Sequence, residues 1–200
     1  MTRTRRYLVV LLAGALLAVA GCSGSGSSPD SGPDAAGGSA DASAVPAGMV
    51  QVSTELGTVA RPEEWKPNDA SQGQEASFLI ENDSDQVVGQ MDVVISSVTP
   101  GTPADAVAGA IQASRFPNIP TLRHTEREFA DVPGAESGFT TESTYTTADT
   151  QQPARSLDRV AVAEDGRYLL VRISSAAPAY DSELFHQIVD TMRLGEATAS

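Results

Sequence analysis

Cys22 is the only cysteine among 200 residues, and its neighbours suit it to one reaction. Val19-Ala20-Gly21-Cys22 closes an apolar run. Ala20 and Gly21 are small enough for extended backbone to enter a peptidase cleft, which puts signal cleavage between Gly21 and Cys22. The Cys22 thiol is the one side chain there able to take a thioether-linked diacylglyceryl group. Other chemistry-bearing residues offer less. His124 and His186 each lack an i+4 histidine or a nearby cysteine, so a zinc site has no support. As acid–base groups they would need a partner in hydrogen-bond reach. Glu81-Asn82-Asp83-Ser84-Asp85 alternates acids, with Asp92 following at calcium-loop distance. Its sixth position is Gln86, where such a loop needs glycine, and Val87 onward reads as strand. A solvated turn is the reading adopted, and Asn82-Asp83-Ser84 is a chance-frequency glycosylation sequon. Gly134-Ala135-Glu136-Ser137-Gly138 lacks nucleophile-elbow spacing and reads as the start of a strand. Trp65 reads as a core or boundary aromatic rather than a ligand-cleft wall. Thr140-Thr141 and Thr144 to Thr147 suggest an edge strand with a solvated face. No catalytic, cofactor-binding or metal residue is assigned.

The leader agrees with the cysteine. Arg3, Arg5 and Arg6 form a positive start, and Leu8 to Ala20 is apolar apart from Gly14. As a helix that run spans about 20 Å, short of a bilayer core of about 30 Å. It therefore reads as a signal segment. Leader, spacing and residue types together resemble the lipobox of bacterial lipoproteins. Arg5-Arg6 also resembles a twin-arginine export signal, but Leu8 stands in place of the usual aromatic and no lysine follows. An ordinary basic leader is preferred. A single acyl chain gives only marginal membrane binding, whereas two or three anchor stably. Membrane attachment through lipid on Cys22, on the extracytoplasmic face, is the expectation.

Composition narrows the rest. Against 26 acidic residues stand 13 basic ones. Three of those arginines lie in the leader, so residues 22–200 carry 10 basic and 26 acidic groups, formally −16. That charge disfavours nucleic acid and anionic head groups, and favours cations or basic partner patches. With Cys22 acylated no thiol remains for a disulfide. A monomer held by its apolar core is expected, with no cofactor.

The chain divides into a signal peptide at 1–21, a tether at 22–48 and a domain at 49–200. Ser23 to Gly48 is Ser, Gly, Ala and Pro, and Val45 is its sole branched aliphatic residue. It cannot bury enough apolar surface to offset its conformational entropy. A flexible coil of this length reaches about 25–30 Å, enough to lift a domain off lipid head groups. The remainder is long enough to bury roughly 70% of its unfolded surface in one core.

Within it, Thr58 to Pro62 leads extended into Trp65. Ala76 to Ile80 and Val87 to Val98 read as strands around the polar turn. Thr102 as N-cap and Pro103 at the first position open a helix that Phe116-Pro117 closes. Thr125 to Ala130 and Gly138 to Thr146 pair across Asp131-Val132-Pro133-Gly134. Leu157 to Val162 and Tyr168 to Ser174 pair across Asp165-Gly166. Leu184, Phe185, Ile188 and Val189 mark an amphipathic helix, and Met192 and Leu194 suggest a last short strand. The fold class is α+β, a single antiparallel sheet of about six strands with two helices packed on it.

Pro62-x-x-Trp65, the helix opening at Pro103-Ala104, Asp131-Val132-Pro133-Gly134, Asp165-Gly166-Arg167-Tyr168 and Ile188-Val189-Asp190-Thr191-Met192-Arg193-Leu194 occur in an order that resembles the LpqN-type actinobacterial lipoproteins. Those belong to the PsbP-like α/β/α sandwich group. The resemblance covers Leu56 to Leu194. It implies a binding or accessory protein without catalytic activity, with an envelope protein or small ligand as partner. Two rival classes remain: an envelope hydrolase with a nonstandard carboxylate site, and a solute receptor of a transport system. The chain is short for a two-lobed receptor.

Overall fold

A computed structural model describes residues 45–195. The leader, Gly21, Cys22 and the tether up to residue 44 lie outside the described residues. In chain order the elements are β1 (Met49–Ser53), β2 (Gly57–Pro62), β3 (Lys66–Asn68), β4 (Ala76–Glu81), β5 (Val87–Ser97), α1 (Ala104–Arg115), β6 (Arg123–Ala130), β7 (Ser137–Thr146), β8 (Pro153–Val162), β9 (Arg167–Ala176), a 3-10 turn (Ala177–Ala179), α2 (Ser182–Asp190) and β10 (Arg193–Leu194).

The α+β class with two helices holds, but the strands form two sheets, not one. Seven strands run in the order β3-β4-β5-β9-β8-β7-β6, and three more in the order β1-β2-β10. All neighbours are antiparallel. The second sheet escaped the sequence because its members are short and weakly patterned. β1 is only Met-Val-Gln-Val-Ser, and β10 is two residues long. Neither specifies a sheet alone; each becomes a strand by pairing with β2.

Side-chain alternation sends the seven-stranded sheet's residues to two different layers. On one face α1 contributes Ala104, Val107 and Ala108 to a cluster with Phe139, Val160, Val162 and Leu170. On the other face α2 and the small sheet cover Met91, Val93, Leu157, Leu169, Val171 and Ile173 with Phe185, Ile188, Val59 and Leu194. α2 is capped as its sequence suggests, since the Asp181 carboxylate accepts from Leu184 N–H at 3.0 Å. α1 is not. Pro103 occupies the N-cap position in extended conformation, and Thr102 Oγ1 donates to Thr99 instead. The helix start is held from across the domain, because Ala104 N–H donates to Ser137 Oγ at 3.1 Å.

The turn after β6 needs its glycine. Gly134 has φ +80°, and a Cβ there would lie 2.1 Å from the Leu194 carbonyl oxygen. Leu194 N–H in turn donates to Pro133 O, so this turn clamps β10 in place. Gly134→Ala is expected to destabilise by more than the roughly 1–2 kcal/mol of left-handed strain alone, measured as a fall in urea midpoint. An unchanged midpoint would mean that the turn relaxes without loss.

Candidate functional site

Buried polar groups concentrate in two places, each continued by more exposed polar residues. The first is a row across the α1 face. Register places Asn68, Ser77, Asp92, Arg172, Asp158, Thr141 and Arg127 side by side, one on each strand of the large sheet. Asp158 is 2% exposed and receives every donor in reach. Arg172 approaches it through two bonds, Nε to Oδ1 at 2.9 Å and Nη2 to Oδ2 at 2.8 Å. Gln112 of α1 donates to Oδ2 at 2.8 Å, and Arg115 lies at 3.4 Å. Burial alone would lower the Arg172 pKa, but the charge of Asp158 and its hydrogen bonds outweigh this and raise it. Arg115 is lowered, by burial and then by the like charge of Arg172, with Asp158 opposing. Both oxygens of Asp158 are thus held by Arg172, and Oδ2 also by Gln112, which makes this carboxylate a buried counter-ion for α1 and the sheet. The row holds α1 to the sheet.

The second cluster lies on the opposite face, where β7 and β8 meet α2. Glu142 binds Arg155 Nη2 at 2.7 Å, accepts from Ser182 Oγ at 3.3 Å and lies 3.6 Å from His186 Nε2. This is a serine, a histidine and a carboxylate in one place, so triad chemistry has to be weighed. His186 Nδ1 is 2.8 Å from the Ser182 carbonyl oxygen and 3.4 Å from Ser182 Oγ. A carbonyl only accepts, so Nδ1 carries the proton. It therefore cannot take one from Ser182 Oγ, and the geometry does not activate a nucleophile. Arg155 stacks 4.0 Å from the Tyr180 ring centroid. Burial, and then the Glu142 charge, push the Tyr180 phenol above its ordinary range, so it stays protonated. The cluster ties the sheet to α2, with Arg155 Nε and the Tyr180 hydroxyl buried without a hydrogen-bond partner.

Other sequence candidates are accounted for individually. Trp65 is 5% exposed and meets the Phe185 ring edge-on at 6.1 Å, as a core aromatic. Glu81 pairs with Lys66, while Asn82 Oδ1 accepts from the Ser84 and Gln86 amides. The acidic stretch is thus a self-bonded turn, and among the described residues no group of three His, Cys, Asp or Glu is placed to hold a metal ion. The threonine-rich strand is not an edge. β7 lies between β6 and β8, and Thr140, Thr141 and Ser143 are buried. A polar strand went inside because Arg159 Nε donates to Thr140 and the neighbouring charges are internally paired. His124 lies on β6, with Nδ1 3.2 Å from Ser143 Oγ and its ring edge-on to Phe116.

His124 titrates below the usual histidine range, through desolvation and then the charge of Arg127, with Asp158 opposing. The unfolded chain therefore takes up this proton first as pH falls. Stability attributable to His124 is expected to decline from about pH 6.5 downward, until the folded ring also protonates. Proton-detected titration of the ring should report the lowered value, and His124→Gln should remove that part of the slope. A ring titrating at or above the free value would contradict this.

One surface stands apart. Phe129 is 76% exposed and Phe116 41% exposed. Both adjoin the α1 face of β6, where α1 leaves the strand uncovered. Phe129 packs edge-on against Phe139 at 5.2 Å, and Arg127 lies over the same Phe139 ring. Sequence reading passed over Phe129, although an isolated large aromatic in Arg-Glu-Phe-Ala was the available signal.

No protein-family model and no curated sequence matches the chain. Solved structures do. The solution structure of cyanobacterial PsbP from Synechocystis sp. PCC 6803 superposes with a TM-score of 0.55 at 16% identity, over 76% of this chain and 96% of that one. LpqN, described as involved in cell envelope biogenesis of Mycobacterium tuberculosis, gives 0.51 at 12% identity, over 73% of this chain and 90% of that one. The fold is PsbP-like. At these identities the likeness is one of architecture. The PsbP-like frame here supplies two sheet faces, two covering helices and an exposed terminal strand, β6.

Proposed function

We propose that this chain is a lipid-anchored, extracytoplasmic binding or accessory protein of the LpqN type, without catalytic activity. Lipid on Cys22 holds it to the outer face of the cell membrane, residues 22–48 space the domain from the surface, and residues 49–195 contain the binding domain. The observation that carries the binding role is a contrast in side-chain chemistry. The buried carboxylates Asp158 and Glu142 are each engaged by fixed donors, while one large aromatic, Phe129, stands 76% exposed on β6. A large aromatic left exposed beside an unpaired strand edge is a surface that a partner can cover. The leader ending in Gly21-Cys22 and the PsbP-like fold support the same reading.

The anchor is tested first. Cys22→Ala is expected to abolish incorporation of an alkyne-tagged palmitate and to shift the protein from the membrane fraction to the medium, with unchanged circular dichroism. Persistent labelling or membrane retention would overturn the anchor. The binding role is tested by photo-crosslinking on intact cells, from residues spread over the domain surface. A discrete crosslinked species from at least one face is expected, and none from any face would overturn it. The donors held by Asp158 and Glu142 weigh against either one as the free carboxylate of a hydrolase.

A further inference from the structure

The seven-stranded sheet ends in two very different edges. β3 is three residues long and contains Pro67 beside Lys66, which are the usual devices for blunting an edge. β6 is eight residues long with no proline, and seven of its eight residues are exposed. It pairs with β7 on one side only. β6 carries edge-guarding features of its own, a bulge between His124 and Glu126 and four charged side chains, but Glu126 to Ala130 is regular. Its outer backbone N–H and C=O groups are therefore free to template another strand.

We infer that β6 is the docking element of this protein, and that it takes an extended segment of a partner polypeptide as an eighth strand. This rests on the binding role proposed above and names its site and partner chemistry. Arg127 and Phe129 lie on the α1 face with Phe139, while Glu126 and Glu128 point to the opposite face. An antiparallel partner would oppose Glu126 and Glu128 with basic residues, Arg127 with an acid and Phe129 with an apolar residue. Read from its own N-terminus, the partner segment is apolar, basic, acidic, basic. The chain's formal net charge of −13 favours such a segment, in which basic residues outnumber acids. Phe129, braced against Phe139, is a preorganised aromatic anchor. A second copy is disfavoured. A two-fold axis at Arg127 sets Arg127 against itself and Glu126 against Glu128, and an axis at Glu126 or Glu128 sets that carboxylate against its own copy. An axis at Phe129 avoids like charges on the strand but brings together two chains each of formal net charge −13.

The test uses the full chain carrying Cys22→Ala, tether included, and two labelled peptides. One contains Val-Arg-Glu-Arg; the other contains the charge-reversed Val-Glu-Arg-Glu. The matched peptide is expected to bind at least tenfold tighter by anisotropy, with amide shifts centred on β6. Arg127→Glu and Phe129→Ala should each weaken it at least tenfold, while Lys66→Glu on the opposite edge leaves it unchanged. Both positions are exposed, and circular dichroism verifies folding. Equal binding of the two peptides, shifts away from β6, or concentration-dependent dimerisation through β6 would overturn the inference. A photo-crosslinker at 129 separates the two readings. Crosslinks on cells from other faces but not from 129 overturn the edge and leave the binding role standing. Silence from every position overturns both.

Discussion

Asp158→Ala is expected to lower the stability of the domain by about 3–5 kcal/mol, the range found when one partner of a buried ion pair is removed. The carboxylate is nearly fully buried and is the common acceptor for Arg172, Arg115 and Gln112. Its loss leaves two guanidinium groups facing each other without a counter-charge. Arg172 already disfavours the charged form of Arg115 with Asp158 in place. The side chain also links the centre of the large sheet to α1, so the helix should loosen first. Urea denaturation followed by circular dichroism gives the magnitude, and hydrogen exchange of the Val107 to Gln112 amides gives the location. Asp158→Asn should recover only part of the loss, because an amide keeps the shape but not the charge. Arg167→Ala removes an exposed pair with Asp165 while keeping the turn residue in place, and should move the midpoint little. An Asp158→Ala midpoint equal to wild type would show that the polar row does not hold the layers together.

Phe185→Ala is the second large effect, at about 3–5 kcal/mol for emptying a buried aromatic site. Phe185 is 1% exposed. It meets Trp65 edge-on at 6.1 Å and Tyr180 edge-on at 5.0 Å. Through these contacts it joins α2, the segment after β2 and the segment before α2. The resulting cavity would sit under the only tryptophan. Loss of the near-ultraviolet signal of Trp65 and a red-shifted emission are therefore expected to accompany the fall in stability. Phe185→Leu, which keeps most of the apolar volume, should cost markedly less. A full near-ultraviolet spectrum in Phe185→Ala would mean that neighbours refill the space, and that α2 is held chiefly by the Glu142 and Arg159 contacts.

Much of the architecture was legible because local signals were strong. β5 emerged from alternating Met91, Val93 and Ile95, and α2 from Leu184, Phe185, Ile188 and Val189. The β8–β9 hairpin followed from Asp165-Gly166, where Gly166 adopts φ +83°. Periodicity and turn chemistry act over a few residues, so one sequence suffices to show them. β8 was underestimated at its start, since Pro153 to Ser156 has no apolar alternation, and pairing with β7 and β9 extends it. The cap of α1 was misplaced by one residue because its hydrogen-bond partner, Ser137, is distant in sequence.

The amino-acid sequence by itself carries the proposal of lipid at Cys22, and it determined the acidic composition, the α+β class and the order of the main elements. Each depends on residue type and short spacing. Tertiary structure alone decided which strands share a sheet and which polar residues are buried. Thr140, Glu142 and Asp158 look solvent-facing in sequence, and become interior only because Arg155, Arg159 and Arg172 lie on neighbouring strands in the right register. It also decided that one edge is blunted and the other open. β3 and β6 differ little as polar segments; what separates them is length, a proline and a terminal place in a seven-stranded sheet. Charge pairing and edge position are long-range properties, fixed when the chain closes on itself.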